Sequence, residues 1–505
     1  MDFFTRELIN HPGESAAYPL AEGMDAFVAR VALVKLATKT LDLQYYIWHS
    51  DETGHLLAGY LLEAADRGVY VRLLLDDVGS PLGDEHLLML SLHPNIDVKL
   101  FNPLANRAQR LLSMITDFAR ANRRMHNKSL MVDSSIAIVG GRNIGNEYFD
   151  ANHEVAFADL DVMVMGPVVD EVAEGFELFW HSNLSILIER LTRHKISDAR
   201  LTLLRKKTYR GIEQARETDY VKRMMSTHFA QRNGSLDWYW GKASVLYDHP
   251  DKATDKKLVN SQLLSSGLST LFDDIKSELI LVTPYLVPGK QGVELFRQLV
   301  AKGVKVTLVT NALAATDVVA VHSGYAKYRK AILKAGVDLY EVRPDSYQEP
   351  RDESARPGVM AKAQAKESLA KRSAKKISSM TTREGRRNLF HLGSSARASL
   401  HAKAFFVDRK RTFIGSLNLD PRSFLINTEI GVLFDNKEMA SLAFDQIQTV
   451  LKTTAYQLQL DQHNHLTWIY HEGETIRSSR REPGVALWKK IIVSLLSLLP
   501  IESQL

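Results

Sequence analysis

A chain of 505 residues with 45% hydrophobic and 24% charged side chains has room for two domains of ordinary size, and its balance excludes wholesale disorder and a fibrous architecture. It contains no cysteine, which removes disulfides, a thiol nucleophile and a cysteine zinc site and suits a reducing compartment. No apolar run approaches the roughly 18 residues of a membrane-spanning helix, and the opening stretch MDFFTRELINHPGESAAYPL has neither the basic start nor the apolar core of a signal peptide.

The net charge of +5 is unevenly spread. Between Arg351 and Arg387 eleven Lys and Arg stand against four acids, so the rest of the chain is slightly acidic. The basic bias therefore belongs to one Ala/Ser/Lys-rich insert rather than to a nucleic-acid-binding face. Such a run is ordinarily solvated, and where it acts it attracts an anionic membrane surface or a polyanion.

In chain order, Leu41–Ile47 reads as a buried strand, HLLAGYLLEAADRG as a helix, and VYVRLLLDD, ending at Asp77, as a second strand. The same sequence of elements returns at Leu279 (LILVTPYLV), ELFRQLVAKG and VKVTLVTN, ending at Asn311. Arg67-Gly68-Val69 matches Lys302-Gly303-Val304 at an offset of 235 residues. A helix and a strand follow in each half, at about Asp84–Leu92 and Val98–Phe101, then about Gly324–Ala335 and Val337–Arg343. Strand–helix–strand units with short connections predict parallel strands joined by right-handed crossovers, hence two α/β layers. A mostly helical connection runs from about Pro167 to Asn233.

The polar signal is duplicated too. MHNKSLMVDSSIAIVGGRN carries His126, Lys128, Asp133, Gly140, Gly141 and Asn143; LHAKAFFVDRKRTFIGSLN carries His401, Lys403, Asp408, Gly415, Ser416 and Asn418. The motif offset is 275, against 235 upstream, and the difference of 40 is absorbed by the basic insert. On a strand, His and Lys two residues apart share a face and can converge on one anion, while Gly allows close backbone approach and Asn adds an amide donor. One such site grips a phosphate. Two brought together suit in-line displacement at a phosphodiester, with one His attacking, the other protonating the leaving oxygen, and Lys and Asn holding the equatorial charge. The scheme requires no metal or other cofactor.

The doubled H-x-K-x4-D-x6-G-(G/S)-x-N pattern resembles the phospholipase D superfamily over nearly the whole chain. QYYIWHSDETG, RLLLDDVGS, VGGRNIGNEYF, DLDVMVMGP, TNALAATDVVAVHSGYAKYRK and IGSLNLDPRSFLINTE are similar to the bacterial cardiolipin synthase C group in particular. The resemblance implies an α/β fold of two duplicated phospholipase D-like α/β/α sandwich halves related by a pseudo-two-fold axis. Residues 1–232 would form the first half with its helical connection, 233–470 the second with a basic insert at about 346–390, and 471–505 an amphipathic tail. It implies a phosphatidyl transferase that works through a covalent phosphohistidine and makes cardiolipin from phosphatidylglycerol and a second phospholipid such as phosphatidylethanolamine. A phospholipase D-type hydrolase and a nuclease use the same paired motif and stay open at this level.

The resemblance assigns the catalytic set to His126, Lys128, Asp133, His401, Lys403 and Asp408. His126 is the expected nucleophile and His401 the general acid, an order the symmetric sequence itself does not decide. Asp133 and Asp408 read as structural partners of the motif loops rather than proton carriers. Asn143 and Asn418 would hold phosphate oxygens. Asp159 and Glu429 stand where the family places, after each motif, the carboxylate that orients its His. His322 and Tyr325 lie just past a strand end, where open α/β sheets bind ligands, and are candidates for a headgroup pocket; an ordinary helix start explains them equally well. Asp76-Asp77, at the matching strand end of the first half, reads as a possible capping cluster. Arg123 and Arg124 could meet anionic headgroups.

Near the C-terminus, Leu487–Leu499 is too short to span a bilayer. Its apolar residues, with Trp488, Lys489 and Lys490 at one end, suit an interfacial helix, although a helix docked on the core has nearly the same composition. The expected setting is peripheral, on the cytoplasmic side of a bacterial inner membrane. Phospholipids and the membrane surface are the expected partners, nucleic acid is disfavoured, and no oligomer is required because one chain carries both motifs.

Overall fold

The structure, a computed structural model, describes residues 7–497 apart from 81, 108, 153–155, 193–197, 228–235, 255–262, 345–397 and 474. The basic insert at about 346–390 and residues 498–499 of the expected C-terminal segment thus lie outside the described residues. Strands of the first half are β1 (Ser15–Leu20), β2 (Thr40–Tyr45), β3 (Tyr70–Asp76), β4 (Ile96–Phe101), β5 (Ser129–Val132), β6 (Ile136–Gly140), β7 (Ala156–Ala158), β8 (Asp161–Met165) and β9 (Ser185–Leu187). Those of the second are β10 (Tyr239–Tyr247), β11 (Glu278–Val282), β12 (Lys305–Asn311), β13 (Asp338–Val342), β14 (Ala398–Leu400), β15 (Ala404–Val407), β16 (Arg411–Gly415), β17 (Ile430–Asp435) and β18 (Ala455–Leu460), followed by β19 (Leu466–Glu472) and β20 (Thr475–Ser479).

In the first half the strands lie side by side in the order β9-β4-β3-β2-β5-β6-β8-β1. The second half runs β18-β13-β12-β11-β15-β16-β17-β10. β1 and β10 pair antiparallel, Ser15 opposite Gly241, and fuse both into one 18-stranded sheet. β2–β3–β4 and β11–β12–β13 are parallel, as the crossover helices Glu52–Asp66 and Gly289–Ala301 require. Gly68 and Gly303 close these helices at φ +93° and +87°, a left-handed position that carries no penalty for glycine.

Both faces of the central strands are covered. Leu73 and Leu75 pack with Phe27, Leu57 and Leu61 on one side, whereas Leu74 packs with Phe176 and Phe179 on the other. The period of two explains why these strands are continuous apolar runs in the sequence. One cluster crosses the seam, joining Ala17, Met131 and Val164 to Val245, Phe406 and Val432. Where one helix at about Gly324–Ala335 is expected, two occur, Val319–Ala326 and Arg329–Lys334; the Tyr328 amide turns back to the Tyr325 carbonyl at 2.8 Å and breaks the run. The helical connection also contains a strand, β9, which adds to the edge of β4.

Asp133 and Asp408 sit in the turns that end β5 and β15, with φ of 50° and 51°. Asp133 accepts the amides of Thr38 (3.0 Å), Lys39 (2.7 Å) and Thr40 (2.8 Å); Asp408 accepts those of Lys276 (2.9 Å), Ser277 (2.7 Å) and Glu278 (3.0 Å). Each locks the start of a neighbouring parallel strand at the end remote from the motif histidine. Burial opposes the charge of each carboxylate, but the amides prevail and hold both below the usual range. Asp133→Ala and Asp408→Ala should therefore each cost on the order of 1–3 kcal/mol of stability, read as a lowered thermal midpoint, while turnover of the folded variant stays within about tenfold of the parent.

Candidate active site

The two motif strands occupy equivalent places in the sheet, but neither half completes its own site. The residue before His126, Met125, bridges Thr428 in parallel fashion, and the His126 amide donates to the Thr428 carbonyl at 2.9 Å. In the mirrored arrangement β14 pairs with β7, Leu400 opposite Ala158, and the His401 amide donates to the Ala158 carbonyl at 2.7 Å. These backbone links place Glu429 beside His126 and Asp159 beside His401. His126 Nδ1 lies 2.8 Å from Glu429 Oε2, and His401 Nδ1 lies 2.5 Å from Asp159 Oδ2. Each imidazole is thus paired with the carboxylate that follows the other half's motif, where the resemblance led us to expect its own.

Both rings, both lysines and both carboxylates are buried. With Nδ1 committed to a carboxylate, Nε2 is the nitrogen left to act. Lys128 Nζ donates to the His126 carbonyl at 2.6 Å, and Lys403 Nζ lies 3.0 and 3.2 Å from the His401 ring nitrogens. Burial, reinforced by Lys128, Lys403 and His401, drives His126 well below its ordinary pKa; His401 is lowered by burial and Lys403 against the opposing pull of Asp159. Lys403 is pushed down to about 8 by burial, in spite of Asp159 and Glu429.

The two carboxylates differ. Burial pushes Glu429 up to about 7 although Lys128 opposes it. At Asp159 burial acts the same way, but the charges of His401 and Lys403 outweigh it and keep the group below the usual range. The exchange of Gly for Ser in the second motif follows from this inequality. A Cβ at Gly141 would fall 2.1 Å from Asp159 Oδ1, so the short aspartate demands glycine there. Opposite the longer Glu429, Ser416 fits and donates its hydroxyl to Oε2 at 2.5 Å.

The asparagines are not equivalent either. Asn143 Oδ1 accepts the Ile47 amide at 3.0 Å, and its Nδ2 donates to the Tyr148 hydroxyl at 2.9 Å. Asn418 Oδ1 is buried with no hydrogen-bond partner. Aromatic walls flank the histidines: Tyr46 meets His126 edge-on at 5.1 Å, Tyr148 meets His401 edge-on at 5.4 Å, and Phe157 stacks on His401 at 5.0 Å. Sequence reading assigned no role to these aromatics, which carry no motif spacing of their own, and placed Ser416 in the second motif without its bond to Glu429.

Asp76 and Asp77 are braces for the first motif. Asp76 accepts the amides of Val78 (2.9 Å) and Met125 (2.9 Å), and Asp77 accepts that of Leu104 (2.8 Å) and the Arg107 guanidinium (2.6 Å). Arg124 is buried against Asp76 and the Asn102 carbonyl, and Arg123 donates to the carbonyls of Lys252 and Thr254. Neither presents its guanidinium to headgroups, contrary to expectation.

His322 and Tyr325 lie in the helix Val319–Ala326, past the end of β12, and bond to protein groups there. Tyr325 donates to Glu341 Oε1 at 2.8 Å, Arg329 donates to the same oxygen at 2.7 Å, and Arg329 Nη2 contacts His322 Nε2 at 2.9 Å and Glu482 at 2.5 Å. Their polar atoms are spent on a buried ion network, which fastens the C-terminal segment to the second half. The helix Leu487–Ser497 packs on Val319–Ala326 just beyond it. Among the described residues, His49, Asp51 and Glu147 bring ligand atoms within 4.8 Å of one another. Asp51 there caps the helix Glu52–Asp66 through the Gly54 amide and Glu147 pairs with His49, so protein contacts account for the group.

Comparison with known proteins agrees with this geometry. The family described as cardiolipin synthase, PLD-like domain, matches residues 31–180 and 268–451, one match per half. Cardiolipin synthase C of Escherichia coli is 38% identical over 97% of this chain and 96% of its own length. Cardiolipin synthase B of the same species is 22% identical over 89% and 83%. The crystal structure of the Haemophilus influenzae phosphatidylserine synthase has the same fold, with a TM-score of 0.54 at 13% identity over 90% of this chain and 91% of that one. The chain belongs to the cardiolipin synthase family, the phosphatidyltransferases of the phospholipase D superfamily.

Two outcomes test the site's construction. In double-mutant cycles on thermal unfolding, Asp159→Asn with His401→Ala should couple by about 1 kcal/mol or more, whereas Asp159→Asn with His126→Ala should be additive within about 0.5 kcal/mol. Burial also pushes Asp420, which caps Pro421–Leu425, up to about 6. Between pH 4 and 6 the folded chain therefore holds a proton that the unfolded chain has lost, so this group makes stability fall as pH rises. Relative to Asp420→Asn, the parent should lose on the order of 2 kcal/mol across that window, measured by denaturant unfolding at each pH.

Proposed function

We propose that this enzyme transfers a phosphatidyl group from a donor phospholipid to phosphatidylglycerol, giving cardiolipin. His126 Nε2 attacks the donor phosphorus; the P–O bond to the headgroup alcohol breaks, and that oxygen takes a proton from His401. The glycerol hydroxyl of phosphatidylglycerol then gives its proton to the now neutral His401 while its oxygen attacks phosphorus, and the bond to His126 breaks. Lys128, Lys403 and the amide of Asn418 stabilise the equatorial oxygens. Asn143, already occupied, contributes by holding Tyr148 and the loop at Ile47. Asp159 and Glu429 hold the rings in the productive tautomer, and Asp133 and Asp408 act only through the fold.

The observation that carries this reading is the pair of histidines with Nδ1 tied to a buried carboxylate and a lysine beside each. Their inequality supports the order. His126, lowered by burial and by the charges of Lys128 and Lys403, suits a nucleophile. His401, facing a carboxylate held ionised, suits the acid that must carry a proton. The matching strand orders support two duplicated halves related by a pseudo-two-fold axis, for which 1–232 and 233–470 are the proposed bounds and 471–505 the proposed tail, the hairpin of β19 and β20 continuing the second half's sheet past residue 470.

Cardiolipin synthases work at membranes, yet no described helix is long and apolar enough to cross one. We place this chain peripherally on the cytoplasmic side of the inner membrane, held there in part by Leu487–Ser497. The outer face of that helix presents Trp488, Ile491, Ile492 and Leu495 to solvent, at the spacing of an interfacial helix.

Purified protein incubated with mixed phosphatidylglycerol and phosphatidylethanolamine vesicles should form cardiolipin by lipid mass spectrometry, and His126→Ala should abolish it. Omitting each lipid in turn names the donor. Phosphatidic acid as the sole product would mean hydrolysis, and an unchanged lipid profile with cleaved oligonucleotide in a parallel tube would mean a nuclease; either result overturns the transfer reading.

A further inference from the structure

The C-terminal helix has a counterpart in the first half that no motif announces. After β4 the chain leaves the sheet, forms the short helices Arg110–Thr116 and Phe118–Ala121, and returns at Met125 directly before His126. Leu112, Ile115 and Phe118 recur at every third residue and are 52%, 68% and 55% exposed. A stripe of large apolar side chains so exposed is unusual for a solvated helix. Arg110 and Arg120 stand beside it with side chains 39% and 33% exposed, the first paired with Asp77 and the second with Asp117, and Asp117, between the two helices, is the one acid from Arg110 to Ala121.

The stripe is mounted rigidly. Arg107 and Arg110 grip Asp77, Ser113 Oγ accepts the Asn106 amide at 3.1 Å, and Asn102 Nδ2 donates to the carbonyls of Arg120 (3.0 Å) and Arg123 (2.9 Å). Asp76, next to Asp77, holds Met125 and so the wall of His126. The C-terminal helix is mounted in the same manner on the other half. It packs on Val319–Ala326; Asp317, two residues before that helix, accepts the Tyr285 hydroxyl at 2.7 Å and acts electrostatically on His401 and Lys403. One amphipathic element in each half is thus linked through its mounting residues to the surroundings of a motif histidine, and both follow the ends of the parallel strands, where open α/β sheets bind ligands.

We infer that Leu112, Ile115 and Phe118 form a second membrane-seating ridge which, together with Trp488, Ile491 and Leu495, lays an anionic phospholipid bilayer across the mouth of the His126–His401 site. Lys489 and Lys490 on one ridge and, on the other, the exposed parts of Arg110 and Arg120, each also paired with an aspartate, supply the charge complementarity. The inference rests on the reading that the substrates are phospholipids. It adds that they enter from the bilayer between two ridges and not past a single tail helix.

The absence of cysteine makes the test direct. Single cysteines at Ile115, Ile491 and Lys39 are labelled with an environment-sensitive fluorophore and mixed with vesicles of phosphatidylglycerol and phosphatidylethanolamine. Lys39 lies in the Asp133 turn, at the opposite end of the strands. Labels at 115 and 491 should shift to the blue and be quenched by brominated acyl chains, while the label at 39 should do neither. A shift at 491 without one at 115 overturns the proposal, as does a shift at 115 that follows protein concentration without lipid, which would mark a self-association surface.

In the unlabelled chain, Ile115→Asp with Phe118→Asp should weaken vesicle binding about tenfold or more and lower turnover on vesicles in proportion, with turnover on dispersed short-chain phosphatidylglycerol preserved. Unchanged vesicle binding overturns the second ridge. Vesicle binding that behaves as expected in a protein that turns over no lipid refutes the transferase reading and leaves the ridge standing.

Discussion

The structure depends on a crossing. Each reactive imidazole is oriented by a carboxylate from the other half, and a bond of 2.5 or 2.8 Å between buried groups leaves little freedom in how those halves meet. The fused sheet supplies that constraint. β1 pairs with β10, β10 with β17, and the shared apolar cluster runs beneath the seam, so the halves cannot slide without exposing core. Two short backbone links, β7 with β14 and Met125 with Thr428, then carry the register to the site itself. The buried charges make the requirement strict, because an imidazole, a lysine and a carboxylate out of water are tolerable only as a satisfied network.

Much of this was legible in the sequence and some was not, for physical reasons. The motif residues announce themselves because a strand's period of two and a turn's demand for glycine or aspartate are local rules. The repeat then exposes the doubled sheet. The crossed partners are separated by 242 and 303 residues, and no local rule relates Asp159 to one histidine more than the other. His322 and Tyr325 misled for a related reason. A strand end in an α/β sheet is a good place for a ligand, but Glu341, Trp468 and Glu482 converge there from later strands and loops and consume the polar atoms. The C-terminal helix was ambiguous because docking and membrane contact draw on the same residue types; in the folded chain one face docks on Val319–Ala326 and the other leaves Trp488, Ile491 and Leu495 exposed.

The two halves, alike in topology, have become chemically unequal through small changes. An aspartate stands against a glycine in one place and a glutamate against a serine in the other; the charges of His401 and Lys403 hold the first carboxylate below its normal range, while burial raises the second to about 7. One asparagine is bound into the loop at Ile47 and the other keeps an unpaired buried oxygen. Such differences turn a symmetric grip on phosphate into a site with a direction.

The crossing has a consequence for how the enzyme comes into being. A chain emerging from the ribosome presents His126 and Lys128 some 300 residues before Glu429 exists. Until then the imidazole has no carboxylate to fix its tautomer and no second histidine to relieve the leaving group. A nascent or truncated chain near a membrane therefore cannot begin modifying lipid: the chemistry is armed only when synthesis of the second half is nearly complete, and incompleteness itself serves as the safeguard.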